Sequence, residues 1–114
     1  MNQVLILAKK MFVAGLIGLA TLVVSSAPLR AQGEAEDTYN KKCAVCHAKD
    51  GSGNTAKGKQ LNVKSVQAYM KSSSEADMIK VVTEGKGDNM DAYKDQLTPD
   101  QIKGVVAYFR GLAK

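Results

Sequence analysis

The longest apolar run of the chain, MFVAGLIGLATLVV at residues 11–24, carries no charge over fourteen positions. Lys9 and Lys10 stand directly before it and small residues follow. Positive segment, short apolar core and small-residue site form the layout of a secretory signal peptide. The run falls short of the roughly 20 residues that a membrane span needs. Val4 to Leu7 adds apolar length ahead of the lysines, so an uncleaved N-terminal anchor stays open as the alternative. Ala31-Gln32-Gly33 puts small residues at the two positions a signal peptidase reads, which predicts a leader at 1–33 and a mature chain starting at Glu34. Cuts after Ala31 or Ala27 are alternatives, although Pro28 would sit badly just past the second.

Beyond the leader the pattern turns helical, with glycine-rich joints. Residues 34–43 read as a first helix, with Glu34, Glu36 and Asp37 at its start and Lys41 and Lys42 at its end, as the helix dipole favours. From Ala48, AKDGSGNTAKGKQLN is a loop by its Gly, Ser, Asn and Asp content. A short helix follows over 65–71. Ser74 and Asp77 make a capping box for the next helix, which carries Met78, Ile79 and Val82 and stops at Gly85. GKGDNMDAYKDQ is a second loop. The last helix is the best signalled: Thr98 caps it, Pro99 is its first residue and Gln101 completes the box. Ile102, Val105, Val106, Phe109 and Leu112 then form one apolar stripe. No internal repeat or second domain appears.

Charge changes this picture little. The full chain has 16 basic and 11 acidic residues, a formal +5. Lys9, Lys10 and Arg30 leave with the leader and take no acid with them, so the mature count is 13 against 11. The basicity is mostly a targeting feature, and nucleic-acid binding loses its main support. The 81 residues that remain pose a core problem, because chains this short often need a staple. The two cysteines, Cys43 and Cys46, would close only a tiny disulfide loop. A structural zinc usually wants four Cys or His ligands, and this chain supplies three. Some other cofactor should fill the core.

Cys43-Ala44-Val45-Cys46-His47 reads C-x-x-C-H, the attachment signature of a c-type haem. Two thiols one helical turn apart can each add across one porphyrin vinyl group. His47, the sole histidine, is then held where an imidazole nitrogen can reach the iron from one face. A thioredoxin-like redox C-x-x-C would be expected near a βαβ pattern, which this chain lacks.

The mature chain resembles a class I c-type cytochrome of the small bacterial and photosynthetic kind. Three stretches carry the resemblance: CAVCHAKDGSGNTAKGKQL, VVTEGKGDNMDAYKDQLT and IKGVVAYFRGLAK. It implies an all-α small cytochrome c fold over 34–114, with three to five helices around one covalently attached haem c. The N- and C-terminal helices should cross, with Tyr39 and Tyr108 in the contact and Gly104 allowing close approach.

Haem iron with one histidine takes a sixth ligand or keeps an open position. Met78 sits in an apolar helical stripe and is most simply a core side chain, and Met70 ends a short helix. Met90 lies in a polar loop 43 residues after His47, with no apolar stripe to join, so ligation explains it better. Lys86 or an open site are the alternatives. The family pattern puts its axial methionine at the same place, between a Gly-Lys-Gly stretch and an aromatic residue, here Tyr93. It usually has proline next, where this chain has Asp91, so the backbone φ of the loop is freed. A second departure is Ala56 and Lys57 ahead of Gly58 and Lys59, where the family often has proline and methionine. A backbone carbonyl of that region normally orients the axial histidine through its other ring nitrogen.

Two axial ligands leave no position for dioxygen or substrate, so one-electron exchange remains. The expected function is a soluble, monomeric electron carrier with no turnover of its own, working between periplasmic or membrane redox enzymes as donor and acceptor. An exported compartment such as the periplasm is its expected place, without stable membrane insertion after cleavage. A ligand-binding or sensor cytochrome with an open or labile sixth site, and a haem subunit of a larger redox enzyme, are the alternatives. Residues 41–64 carry a net +5 and residues 75–100 a net −4, a division that could orient docking on a charged partner.

Overall fold

The computed structural model describes Gly18 and residues 27–114, so the predicted leader lies outside the described residues apart from Gly18 and 27–33. The described residues form six helices and no extended strand: α1 Ala27–Lys42, α2 Ala44–His47, α3 Ala56–Gln60, α4 Val66–Ser72, α5 Glu75–Glu84 and α6 Pro99–Gly111. The number exceeds the expected three to five because α2 and α3 are single turns of four and five residues. None of these helices is long and apolar enough to cross a membrane.

The caps predicted for the last two helices are present. Ser74 accepts from the Asp77 N–H while the Asp77 carboxylate accepts from the Ser74 N–H, and Thr98 with Gln101 does the same for α6. Pro99 opens α6, and α5 ends at Gly85, whose φ of 78° is a positive value that glycine adopts without strain. Two boundaries differ from expectation. The first helix starts at Ala27 rather than Glu34, so its acids lie in mid-helix. Pro28 falls in the first turn, where a missing N–H costs nothing, and the stretch after it holds no strong breaker. The predicted loop after Ala48 contains α3, nucleated by Thr55, whose hydroxyl accepts from the Gly58 N–H at 2.8 Å.

The core is built where α1 and α5 pack on α6. Residues 29–34 of α1 are exposed, and burial begins at Ala35 and Tyr39, four residues apart on one face. Tyr39 is 1% exposed and meets Tyr108 at a ring-centroid distance of 5.3 Å and Phe109 at 6.0 Å. This is the crossing of first and last helices that the resemblance implies. Gly104 faces Ala35, and a methyl group on it would sit 3.7 Å from the Ala35 Cβ, an ordinary contact. Ile102, Val105 and Val106 are buried on α6, and Met78 is buried on α5, as a core side chain should be. The α5 start is tied to the α6 end by Arg110 and Glu75 at 2.7 Å, an exposed pair worth about 0–1 kcal/mol.

Candidate haem-attachment site

A four-residue helix cannot sustain itself, because nucleation fixes several dihedrals for one hydrogen bond. The turn α2, which holds Cys46 and His47, owes its shape to what surrounds it. Its terminal carbonyls, which the turn itself leaves without partners, are taken up from outside. The Thr55 hydroxyl donates to the Val45 carbonyl at 2.7 Å, with the Cys46 carbonyl at 3.3 Å sharing the same proton. The Gly53 N–H donates to the His47 carbonyl at 2.8 Å. The Tyr39 hydroxyl donates to the Ala48 carbonyl at 2.6 Å. Ala48 leaves the turn at φ 65° and ψ 157°, a conformation that costs a non-glycine residue on the order of 1–3 kcal/mol. Gly58 lies so close below α2 that any Cβ on it would collide with the carbonyls of Cys46 and Gly53.

His47 is the last residue of α2. Its ring stands edge-on to Phe109 at 5.2 Å and to Tyr69 at 6.1 Å. Burial holds its pKa below the ordinary histidine value, so the neutral imidazole, the form that binds metals, is favoured. Nδ1 is buried with no hydrogen-bond partner among the described residues, so no backbone carbonyl orients this ring through Nδ1. Cys43 and Cys46 are half-buried free thiols. Burial pushes the Cys43 thiol up to about 11, against the opposing charge of Lys42 and with some help from Cys46. Among the described residues no three His, Cys, Asp or Glu side chains converge as a metal-binding cluster.

Met90 is half-buried in the loop after α5. Its carbonyl accepts from the Lys86 N–H at 2.8 Å, an isolated antiparallel bridge that closes the loop tip. Gly85 makes the tight entry possible, since a Cβ there would lie 2.8 Å from both the Met90 carbonyl oxygen and the Ala92 nitrogen. Beyond Met90 the chain returns to α5 through the Tyr93 N–H, which donates to the Val82 carbonyl at 2.9 Å. The Tyr93 hydroxyl reaches the carbonyl of Lys42 at 3.2 Å, next to Cys43. Burial, and then the neighbouring Cys43, Asp91 and Cys46, raise the Tyr93 pKa. Tyr93 thus joins the methionine loop to the cysteine turn.

Sequence reasoning passed over Thr55 and Tyr69, and it read Phe109 only as part of an apolar stripe. A Thr three residues before a glycine is a helix-cap signal, but the carbonyls it also serves lie nine and ten residues back.

The family described as "Cytochrome C oxidase, cbb3-type, subunit III" matches residues 30–109. A "Cytochrome c6" of Nostoc sp. is 37% identical over 92% of this chain and 95% of its own length. The chain belongs to the c-type cytochrome family. It is an electron-transport haem protein, and its cofactor is covalently bound haem c. A "Cytochrome c6-like" protein of the same organism is 38% identical over 79% of this chain and 84% of its own. A "Cbb3-type cytochrome c oxidase subunit FixP" of Azorhizobium caulinodans is 28% identical, but the match spans only 25% of that protein. Among solved structures, the KustC0563 c-type cytochrome superposes with a TM-score of 0.65 at 28% identity, over 70% of this chain and 98% of that one. The residues present fit the cofactor. Two unbridged thiols one turn apart suit a pair of thioether bonds, and a half-buried imidazole whose neutral form is favoured suits an axial ligand.

Proposed function

We propose that the mature chain is a soluble one-electron carrier. Cys43 and Cys46 hold the haem as thioethers, and His47 and Met90 are its axial ligands. When bound, the group supplies the one-electron ferric–ferrous couple, which a Met/His pair shifts to higher potential. The chain's own part is positional. Thr55, Gly53 and Tyr39 fix the turn that carries His47, so the imidazole need not move when the electron does. Phe109 and Tyr69 stand edge-on to the histidine ring, and Tyr39 backs Phe109 from the other helix. Met90 comes from a separate loop, whose end is bonded to the same region through Tyr93.

The observation that carries the carrier reading is the match with a cytochrome c6 over 92% of this chain and 95% of that protein. Redox enzymes of the exported compartment are the proposed donor and acceptor, and the working form is a monomer without turnover of its own. Cleavage near Glu34 is supported by the exposure of residues 29–33, whose removal takes no packed side chain.

Visible spectroscopy and voltammetry of the matured protein test the proposal. Low-spin ferric protein with a weak red sulfur-to-iron band is expected, and Met90→Ala should erase the band, lower the potential and admit small ligands. A ferric wild type that is high-spin and binds ligands readily at neutral pH would replace the carrier with a ligand-binding cytochrome. A second reading, a haem subunit of a larger redox enzyme, draws on the oxidase-subunit family description. Native co-purification with a membrane oxidase would favour it.

A further inference from the structure

Lys42 closes α1 and directly precedes Cys43. The methionine loop holds this one residue twice. The Tyr93 hydroxyl donates to its carbonyl at 3.2 Å, across 51 residues of sequence. Its Nζ donates to the Gln96 Oε1 at 3.0 Å, across 54. The Lys42 carbonyl belongs to the last turn of α1, whose carbonyls have no acceptor role inside the helix and need partners elsewhere. The loop's own fastenings are backbone bonds near its two ends. Lys86 N–H to the Met90 carbonyl and Asn89 N–H to the Lys86 carbonyl close its tip, Tyr93 and Lys94 N–H return to the Val82 and Thr83 carbonyls at 2.9 and 3.3 Å, and Asp91 leaves free the φ that a proline would fix. Residues 86–89 and Asp91 are exposed, so packing adds little.

We propose that Tyr93 and Gln96 are positioning residues that latch the Met90 loop to Lys42, and that this latch sets how readily Met90 leaves the iron. The inference rests on Met90 being the axial ligand. Releasing the thioether means swinging residues 90–93 outward, and with Tyr93 bonded that movement strips the phenol from a part-buried carbonyl. An acceptor left without its donor costs more than the bond itself contributes. The phenol arm is therefore the stronger half of the latch. The Lys42–Gln96 arm is solvent-exposed and adds a smaller share. Because both arms end on the residue beside Cys43, the loop is referred to the covalent anchor rather than to α5 alone.

Imidazole binding to the ferric haem-loaded protein reads the latch, because an incoming ligand competes with the thioether and its apparent affinity scales with the open fraction. Tyr93→Phe should bind imidazole about five- to ten-fold more tightly than wild type. It should also lose the weak red band at a lower temperature, with the helical circular-dichroism signal still present. Gln96→Ala and Lys42→Met should each tighten binding about two-fold, and the double variant no further, because they cut the same bond. Tyr93→Phe with wild-type imidazole affinity and band would overturn the latch. If Tyr93→Phe loses its helical signal, the Gln96 and Lys42 pair decides: a shared shift supports the latch and no shift overturns it. A wild type without the band, and with imidazole affinity untouched by Met90→Ala, would instead remove the axial reading and the latch with it.

Discussion

The cysteine turn and the methionine loop are held in opposite ways. Around α2, four consecutive carbonyls have outside partners, Gly58 is packed too closely for any side chain, and Tyr39 is buried between α1 and α6. Around Met90, most residues are exposed, and two backbone bonds close the tip, Lys86 N–H to the Met90 carbonyl and Asn89 N–H to the Lys86 carbonyl. The contrast matches two kinds of bond. Thioethers, once made, do not exchange, and the frame around them can be rigid without loss. The proposed Met90–iron bond is of the other kind, a reversible contact whose strength would depend on a loop that a few hydrogen bonds can tune.

Removing the fixed side altogether should have the largest effect. Cys43→Ala with Cys46→Ala should abolish covalent haem, seen as loss of haem staining after denaturing electrophoresis, and leave a chain without a cooperative thermal transition. A double variant that stays helical and cooperative without haem would show that the protein core alone sustains the fold. Next comes Tyr39→Ala, which empties the aromatic crossing and frees the Ala48 carbonyl. About 3–5 kcal/mol should be lost in denaturant unfolding, with the red band intact in the native baseline. On the loop side, Gly85→Ala puts a side chain at φ 78° against the Met90 carbonyl. It should cost more than about 1 kcal/mol, and the red band should melt before the helical signal does. Equal melting of both signals would mean that the loop is not the weaker region.

A pH series sharpens the fixed side further. Tyr39 has its pKa raised well above the ordinary 10, chiefly by burial, with Cys43, Tyr108 and Asp50 adding to it. Its contribution is complete below about pH 10, where the phenol is protonated in both states. Above that the unfolded chain sheds the proton first, so stability should fall as pH rises toward the folded-state value, by up to about 1.4 kcal/mol per pH unit. Tyr39→Phe should flatten that slope in unfolding followed by circular dichroism. An unchanged slope would assign the alkaline loss to other groups.

Much of this architecture is written in short-range signals. The boxes at Ser74 and Thr98, the stop at Gly85 and the stripe from Ile102 to Phe109 depend on residues within one or two turns, and local reading finds them. So does the cysteine–histidine motif, whose chemistry needs its spacing. Less legible were the start of α1 and the turn at Ala56, since neither has a long apolar repeat. The bonds from Thr55 to Val45 and from Tyr93 to Lys42 were hidden for a different reason. They join residues that only the packed chain brings together, and a Thr or Tyr in a loop has many partners it could choose. The orphaned Nδ1 of His47 belongs to the same class, because burial is a property of the whole fold.

Residues 48–58 look like a spacer in the sequence, yet their length is set as if by a ruler. Asp50 and Ser52 close one turn, Gly53 meets the His47 carbonyl, and Thr55 and Gly58 meet the two before it. Adding or deleting one residue would throw every later contact out of step with the turn it supports. The tip at Gly87 has open space around it, and only the bonds between Lys86 and Asn89 and between Lys86 and Met90 span it. A reporter or affinity tag inserted there should be carried by the native fold, and the same insertion after Ser52 should not.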